Sequence, residues 1–269
     1  MFGEAWAERF QEALLHMFPD ADSRAAAIKG YAAFAMTSLR LQARFEMTGH
    51  YKAKTYAEAA SEVYHNEAYM QAEYLPGLFL SHYLWPHHYR QIQFFETAFV
   101  DSMQVAGIDQ FVEVGVGTGL YSRIALQRLA SSSGRGVDIS PSSQHFAQRQ
   151  MDAFGFADRY SVDLEDVTTD TPDASADALI CVEVLEHLED PVSFLRALRR
   201  VLKPGGKAFV TAALNAAHTD HIYLYRHSGE VEAQIVEAGF VVEQFFVGQA
   251  YAPSRPGVPV PLAAAFVVY

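Results

Sequence analysis

A single cysteine, Cys181, stands in the whole chain of 269 residues. A disulfide within the chain and a cysteine-rich zinc site are therefore both excluded. Its apolar neighbours make it a buried, unreactive thiol. No apolar run approaches the length of a membrane span. The opening stretch, MFGEAWAERFQEALL, carries two glutamates before any basic residue and lacks the basic start and small-residue cleavage site of a secretory leader. A cytoplasmic protein with no membrane partner is expected. Positive charge is scarce: 20 Lys and Arg stand against 32 Asp and Glu, a formal net charge of −12. An acidic surface repels phosphate backbones, so nucleic acid is excluded as a partner and a small-molecule substrate is favoured. The densest basic spot, Arg196, Arg199, Arg200 and Lys203, is interleaved with leucines and reads as the solvated face of a helix.

Half of the residues are hydrophobic, which is enough for a sizeable core. Residues 1–86 are rich in Ala, Leu, Glu, Gln and Met, with apolar residues at helical spacing, and predict a helical region over the substrate. Its apolar helices are also the expected place for two subunits to pair. Residues 87–269 begin with a further helix and then alternate strand, loop and helix, which predicts a parallel α/β sheet covered on both faces. Pro141 with Ser140 before it marks one helix start, Ser228 is the expected cap of another, and KPGG (203–206) is expected to close the helix before it. The last two strands lack a helix between them and are expected to form an antiparallel hairpin.

VEVGVGTGLYS follows the first strand and opens a helix. Gly115, Gly117 and Gly119 let the backbone approach a ligand closely. The third glycine comes one residue too early for a dinucleotide fingerprint, and no Lys-Ser/Thr follows for a triphosphate loop. Glu113, just before the turn, repels phosphate and attracts a cationic amino group. Asp138 ends the next strand in GVDIS, with Ile139 beside it, where an acid accepts both hydroxyls of a ribose. Asp163 ends the third strand in SVDLED and is placed to receive an adenine amino group, with Asp166 as the alternative.

These elements, together with V-x-E-V-L-E-H-L-x-D-P and V-L-K-P-G-G, resemble the class I S-adenosylmethionine-dependent methyltransferases. The resemblance implies a Rossmann-like seven-stranded mixed sheet in the order 3-2-1-4-5-7-6, strand 7 antiparallel, under an amino-terminal helical lid. It implies that the glycine turn lies at the methionine end of S-adenosylmethionine, with Asp138 on the ribose, Asp163 on the adenine and the Leu164 amide beside it.

Glu183, Glu186 and His187 lie in CVEVLEHLED (181–190), where the fourth strand gives way to a turn. Two carboxylates and an imidazole at this spacing can converge on a divalent cation. The segment resembles the ubiquinone-biosynthesis O-methyltransferases and the small-RNA 2′-O-methyltransferases, both associated with a divalent metal. By the same resemblance His221, in Asp220-His221-Ile222-Tyr223, is the fourth ligand, with His218 as its substitute. Glu183, His187 and His221 are the expected catalytic residues, with Glu183 also facing the cofactor and a histidine serving as general base. The cluster His82, Tyr83, Trp85, His87, His88 and Tyr89 is expected to wall the acceptor; within it Tyr83, Trp85 and His88, together with His218 and Tyr223, are the substrate contacts. The expected activity is methyl transfer to a metabolite of biosynthetic or secondary metabolism. Metal-assisted O- or C-methylation and a non-catalytic cofactor-binding protein are the alternatives.

Overall fold

A computed structural model describes residues 2–52 and 54–269. The amino-terminal region is helical. Helix α1 (Glu4–Met17) buries Trp6, Ala13 and Met17. Helix α2 (Ala21–Thr48) starts at Asp20, whose carboxylate accepts from Ser23 N at 2.8 Å, and stops at Gly49, which turns left-handed at φ 73°. Helix α3 (Tyr56–Glu62) opens with a reciprocal cap between Thr55 and Glu58. Helix α4 (Glu67–Tyr69) runs through a π-turn, Met70–Tyr74, into α5 (Leu75–Leu84). Helix α6 (Pro86–Phe94) continues through a second π-turn, Phe95–Val100, into α7 (Asp101–Ala106). Phe34 of α2 seats on Gly77 of α5, where any Cβ would stand 2.4 Å from the ring. That close approach holds α2 over the sheet.

The α/β part runs β1 (Gln110–Val114), α8 (Leu120–Arg128), β2 (Ser133–Asp138), α9 (Pro141–Ala153), β3 (Tyr160–Leu164), β4 (Ala176–Cys181), α10 (Pro191–Val201), β5 (Leu202–Leu214), α11 (Ser228–Glu237), β6 (Val242–Gln249) and β7 (Leu262–Val268). The sheet has seven strands in the order β3-β2-β1-β4-β5-β7-β6, with β7 antiparallel to both neighbours. Strand order reverses between β1 and β4, the place where α/β sheets open a crevice at their carboxyl edge. The core lies in two layers. Phe111, Ile180 and Phe209 pack on one face with the amino-terminal helices, α8 and α9. Val112, Leu179 and Val210 pack on the other with α10 and α11. Helix α10 buries Phe194, Leu195, Leu198 and Val201 and turns its arginines outward, where Arg196 pairs with Glu237 at 2.9 Å. Only part of the basic spot is a solvated helix face: Arg200 is half-buried and donates to the carbonyls of Val167, Thr168 and Thr171, and Lys203 lies in β5.

Two local expectations are corrected. The KPGG segment belongs to β5: the register jumps from Ala176–Leu202 to Ala178–Lys207, so residues 203–206 bulge from the strand. Ser228 is the first residue of α11; His227 occupies the cap position and makes no side-chain capping bond. Among the described residues no helix is long and apolar enough to cross a membrane.

Candidate active site

A cavity of about 980 Å³ opens at the carboxyl edge of the sheet and runs beneath α2 and α5. The turn after β1 forms one wall. Gly115 (φ 69°) and Gly117 (φ 50°) face the cavity in left-handed conformations. A Cβ on residue 115 would stand 2.6 Å from Val184 Cγ2. Gly119 is not part of the wall; it packs on α9, where a Cβ would meet that of Ala147 at 3.0 Å.

Glu113 lines the cavity but is already engaged: its carboxylate accepts from Ser122 N at 3.1 Å and from Ser122 Oγ. Burial pushes its pKa up to about 8, against the opposing pull of the Ser122 bonds. A raised carboxyl favours folding while protonated. This contribution is complete below its ordinary value of 4.5 and is lost as pH rises through about 8. Glu113→Gln removes that loss. Its melting temperature relative to wild type should therefore rise between pH 5 and pH 8.5, and thermal denaturation at the two pH values reads this; a constant difference contradicts it.

Asp138 sits across from the turn. Its two oxygens accept from Gly117 N at 3.0 Å and Ser140 N at 2.8 Å, and burial nonetheless raises its pKa to about 6. Ile139 lines the cavity beside it. Asp163 and Leu164 do not. Asp163 stands level with Val137, one step short of the sheet edge, and pairs with Arg135 at 3.3 Å. Leu164 is solvent-exposed. The residues that reach the cavity after β3 are Glu165, Asp166, Val167 and Thr168. Of the two acids expected on the adenine side, Asp166 lines the cavity and Asp163 does not; Asp166 accepts from Thr168 N at 2.8 Å.

Beyond β4 the chain turns sharply. Glu183 adopts φ 55°, a strained conformation for a residue with a side chain, and its N–H donates to Thr211 Oγ1 at 2.9 Å. Asn215, at the end of neighbouring β5, is strained in the same way at φ 50°. The carbonyl of Glu186 accepts from Ile222 N and Tyr223 N at 2.8 and 2.9 Å, which fastens the loop after β5 onto this turn. The result brings Glu186, His187 and His221 together with ligand atoms all within 4.8 Å of one another. Glu183 is not in that set. His187 Nδ1 donates to the Asp220 carbonyl at 3.2 Å and His221 Nδ1 donates to the Ala216 carbonyl at 2.6 Å. A carbonyl only accepts, so both rings carry their proton on Nδ1 and keep a lone pair on Nε2.

The Glu186 carboxylate is buried and neither oxygen has a hydrogen-bond partner among the described residues; one oxygen of Glu183 is likewise unpartnered. Burial, and then the neighbouring Glu183 charge, push Glu186 well above the ordinary carboxylate range; burial raises Glu183 to about 7. Uncompensated buried carboxylates are costly, and a cation is the group that would satisfy them. The donor set of one carboxylate and two imidazole nitrogens, with both rings oriented from behind, fits a divalent ion.

Asp220 is held apart from this set by three donors, Tyr74 Oη at 2.7 Å, His218 Nδ1 at 2.8 Å and Tyr64 Oη at 3.0 Å, with His187 Nδ1 a further contact at 3.5 Å. Burial raises its pKa, but the neighbouring imidazoles, His187 and then His218 with its bond, outweigh it and hold the group well below its ordinary value. His218 therefore orients Asp220 and does not replace His221.

Of the expected acceptor contacts, Trp85, His88 and His218 line the cavity. Tyr83 does not: its hydroxyl accepts from Arg123 at 2.7 Å and its ring packs between Trp6 and Phe10. Nor does Tyr223, whose hydroxyl accepts from Gln234 at 2.9 Å while its ring lies on Tyr225. Phe34, Gln42, Tyr64 and Tyr74 line the cavity without any mark in the local sequence.

Residues 112–210 match the methyltransferase domain family. Over that stretch the chain is similar to methyltransferases, and its seven strands have the order expected of the class I fold. Among relatives of this methyltransferase domain, the ubiquinone biosynthesis O-methyltransferase of Pseudomonas paraeruginosa is 29% identical over 141 residues, covering 49% of this chain and 58% of that protein. The corresponding enzyme of Xanthomonas euvesicatoria is 34% identical over 110 residues, covering 40% and 44%. The chain thus spans about half the length of these relatives. Its methyltransferase fold is also shared with the (4+2)-cyclase SpnF (17% identity, TM-score 0.52, 64% of this chain and 80% of that one). A geranyl diphosphate C-methyltransferase from Streptomyces coelicolor, solved with Mg2+, geranyl diphosphate and S-adenosyl-L-homocysteine, shares it too (15%, TM-score 0.50, 64% and 78%).

Proposed function

We propose that this protein transfers a methyl group from S-adenosylmethionine to a small-molecule acceptor enclosed between the sheet edge and the helical lid. One observation carries the reading: the glycine turn and Asp138 share a single, mostly apolar cavity with Glu183, Glu186 and His187. The turn fits the cofactor because Gly115 and Gly117 leave the cavity wall free of side chains.

S-adenosylmethionine supplies an electrophilic methyl carbon on a sulfonium. The chain's own residues position and protect. Asp138, fixed by two backbone N–H donors, keeps lone pairs for the ribose hydroxyls. Phe34, Tyr64, Tyr74 and Trp85 roof the cavity and exclude water, which in-line transfer requires. Glu183, at the methyl end of the sheet with a pKa raised to about 7 by burial, is suited to take the acceptor's proton.

Calorimetry with S-adenosylhomocysteine tests the reading. Binding is expected in the wild type, and Asp138→Ala should weaken it by about tenfold to a hundredfold, the worth of a charge-assisted pair of bonds. Absence of any binding heat at millimolar ligand ends the proposal. Appearance of S-adenosylhomocysteine during incubation of S-adenosylmethionine with candidate acceptors separates a transferase from a protein that only holds the cofactor.

A second reading rests on the unpartnered Glu186 carboxylate: transfer to an acceptor hydroxyl assisted by a divalent cation held by Glu186, His187 and His221. Such an ion supplies a Lewis acid that orients and acidifies the hydroxyl. The O-methyltransferase relatives favour oxygen as the atom methylated. Asp220 and Ala216 then act as positioning groups through the Nδ1 atoms of the two histidines.

A further inference from the structure

The chamber does not end at the Glu186 side. A continuous aromatic wall leads away from it: His218 to Phe34 at 4.8 Å between ring centres, Phe34 to Trp85 at 5.9 Å, Trp85 to His87 at 5.7 Å and to His88 at 5.3 Å. The wall finishes at three histidines beside the turn between β6 and β7, where Ala250, Tyr251 and Leu262 also line the cavity. His82 and His88 stand 5.1 Å apart there, and His87 and His88 4.3 Å.

This far end is polar and unsatisfied. His82 and His87 are 6% and 7% exposed, and each has a buried Nδ1 without a partner among the described residues. Gln91, 1% exposed on the next turn of α6, gives its amide N–H to Tyr121 Oη at 2.8 Å and leaves its carbonyl oxygen unpartnered. Only His88 is engaged, with Ser81 Oγ at 3.3 Å. Unpaired polar atoms at this depth are costly unless something bonds them. Among the described residues their nitrogens do not converge as those of Glu186, His187 and His221 do, so they are not a second metal centre. Burial keeps the rings neutral: it lowers His82 well below the ordinary range, His87 to about 2 and His88 to about 4. The neutral rings themselves carry no charge to pair with a phosphate or carboxylate. A hydroxyl both donates and accepts, so it matches an imidazole Nδ1 in either tautomer.

We propose that His82 and His87 form a second recognition pole of the acceptor chamber, which binds a neutral hydroxyl of an acceptor whose apolar body lies along Phe34 and Trp85. The acceptor class is then an elongated molecule, apolar in the middle and oxygenated at both ends. The proposal rests on the reading of the cavity as an acceptor chamber, and the experiment separates the two.

Binding of 2-naphthol and of 2-methylnaphthalene, which differ only in hydroxyl against methyl, is measured with S-adenosylhomocysteine present. The expected result is that the affinity ratio of naphthol to methylnaphthalene falls roughly three- to tenfold in His82→Phe and His87→Phe. His82→Asn and His87→Asn, which retain a polar atom at the δ position, should keep the ratio within about twofold of wild type. S-adenosylhomocysteine affinity should stay the same in all four variants. Loss of cofactor binding in the wild type is a failure of the chamber reading, not of this pole. If the Phe variants do not fold, wild-type protein labelled on histidine Cε1 decides: naphthol, and not methylnaphthalene, shifts the signals that the Asn variants assign to His82 and His87. A ratio unchanged in both Phe variants, or shifts confined to His187, His218 and His221, overturns the proposal.

Discussion

Gly115→Ala should reduce affinity for S-adenosylhomocysteine by about one and a half to three and a half orders of magnitude, roughly 1–2 kcal/mol from the left-handed backbone and about 1–3 kcal/mol from overpacking. The new Cβ meets Val184 Cγ2 at 2.6 Å, and residue 115 sits at φ 69°. Relief moves either the turn or Val184, and both line the cavity, so either movement reshapes the cofactor wall. Val184→Ala in the same chain removes the clash but not the backbone strain. The double variant should therefore recover about half of the loss in free energy. Calorimetry on the single and double variants checks this, with melting curves to show that the loss lies in binding and not in folding. No recovery in the double variant would mean that the turn is not seated against Val184.

Glu186→Gln should reverse sign with the conditions. In chelator it is expected to raise the melting temperature, because a neutral amide replaces a buried carboxylate that has no partner and lies near Glu183. With Mg2+ or Mn2+ in excess, the wild type should gain several degrees by binding the ion only when folded, and the variant should gain none. Glu186 supplies the only carboxylate among the three converging ligands, so the loss of metal affinity should exceed about a hundredfold. Melting curves in chelator and in each metal measure both effects. Equal metal shifts in wild type and variant would remove the cation from this site, and with it the metal-assisted reading, while leaving methyl transfer untouched.

Much of the α/β region was legible because its signals are local. The glycine turn, Asp138 and the strand–helix alternation each sit within a few residues. The sheet order came from resemblance, since strand pairing is a long-range fact that periodicity does not carry. The placement of Asp163 failed on one residue of register: level with Val137, it falls short of the edge and meets Arg135 diagonally across the strands. Tyr83 and Tyr223 failed for a different reason. An aromatic in the right segment still has two faces to choose from, and Arg123 and Gln234 hold these two away from the cavity. Tyr64 and Tyr74 were invisible because their role exists only through Asp220, 156 and 146 residues away.

That arrangement has a thermodynamic consequence. Asp220 is shared between two lid tyrosines and two imidazoles, one of which, His187, faces the converging ligand set. An acceptor that draws Tyr64 or Tyr74 away from Asp220 leaves the carboxylate with fewer donors, and its pull on the His187 proton grows, making Nε2 a better electron donor. On the metal-assisted reading, occupancy at one end would then be linked to affinity at the other. By reciprocity, whatever factor an acceptor adds to cation binding, the cation adds to acceptor binding. Loading order then leaves the final population unchanged, and the two ligands report on each other through a single carboxylate.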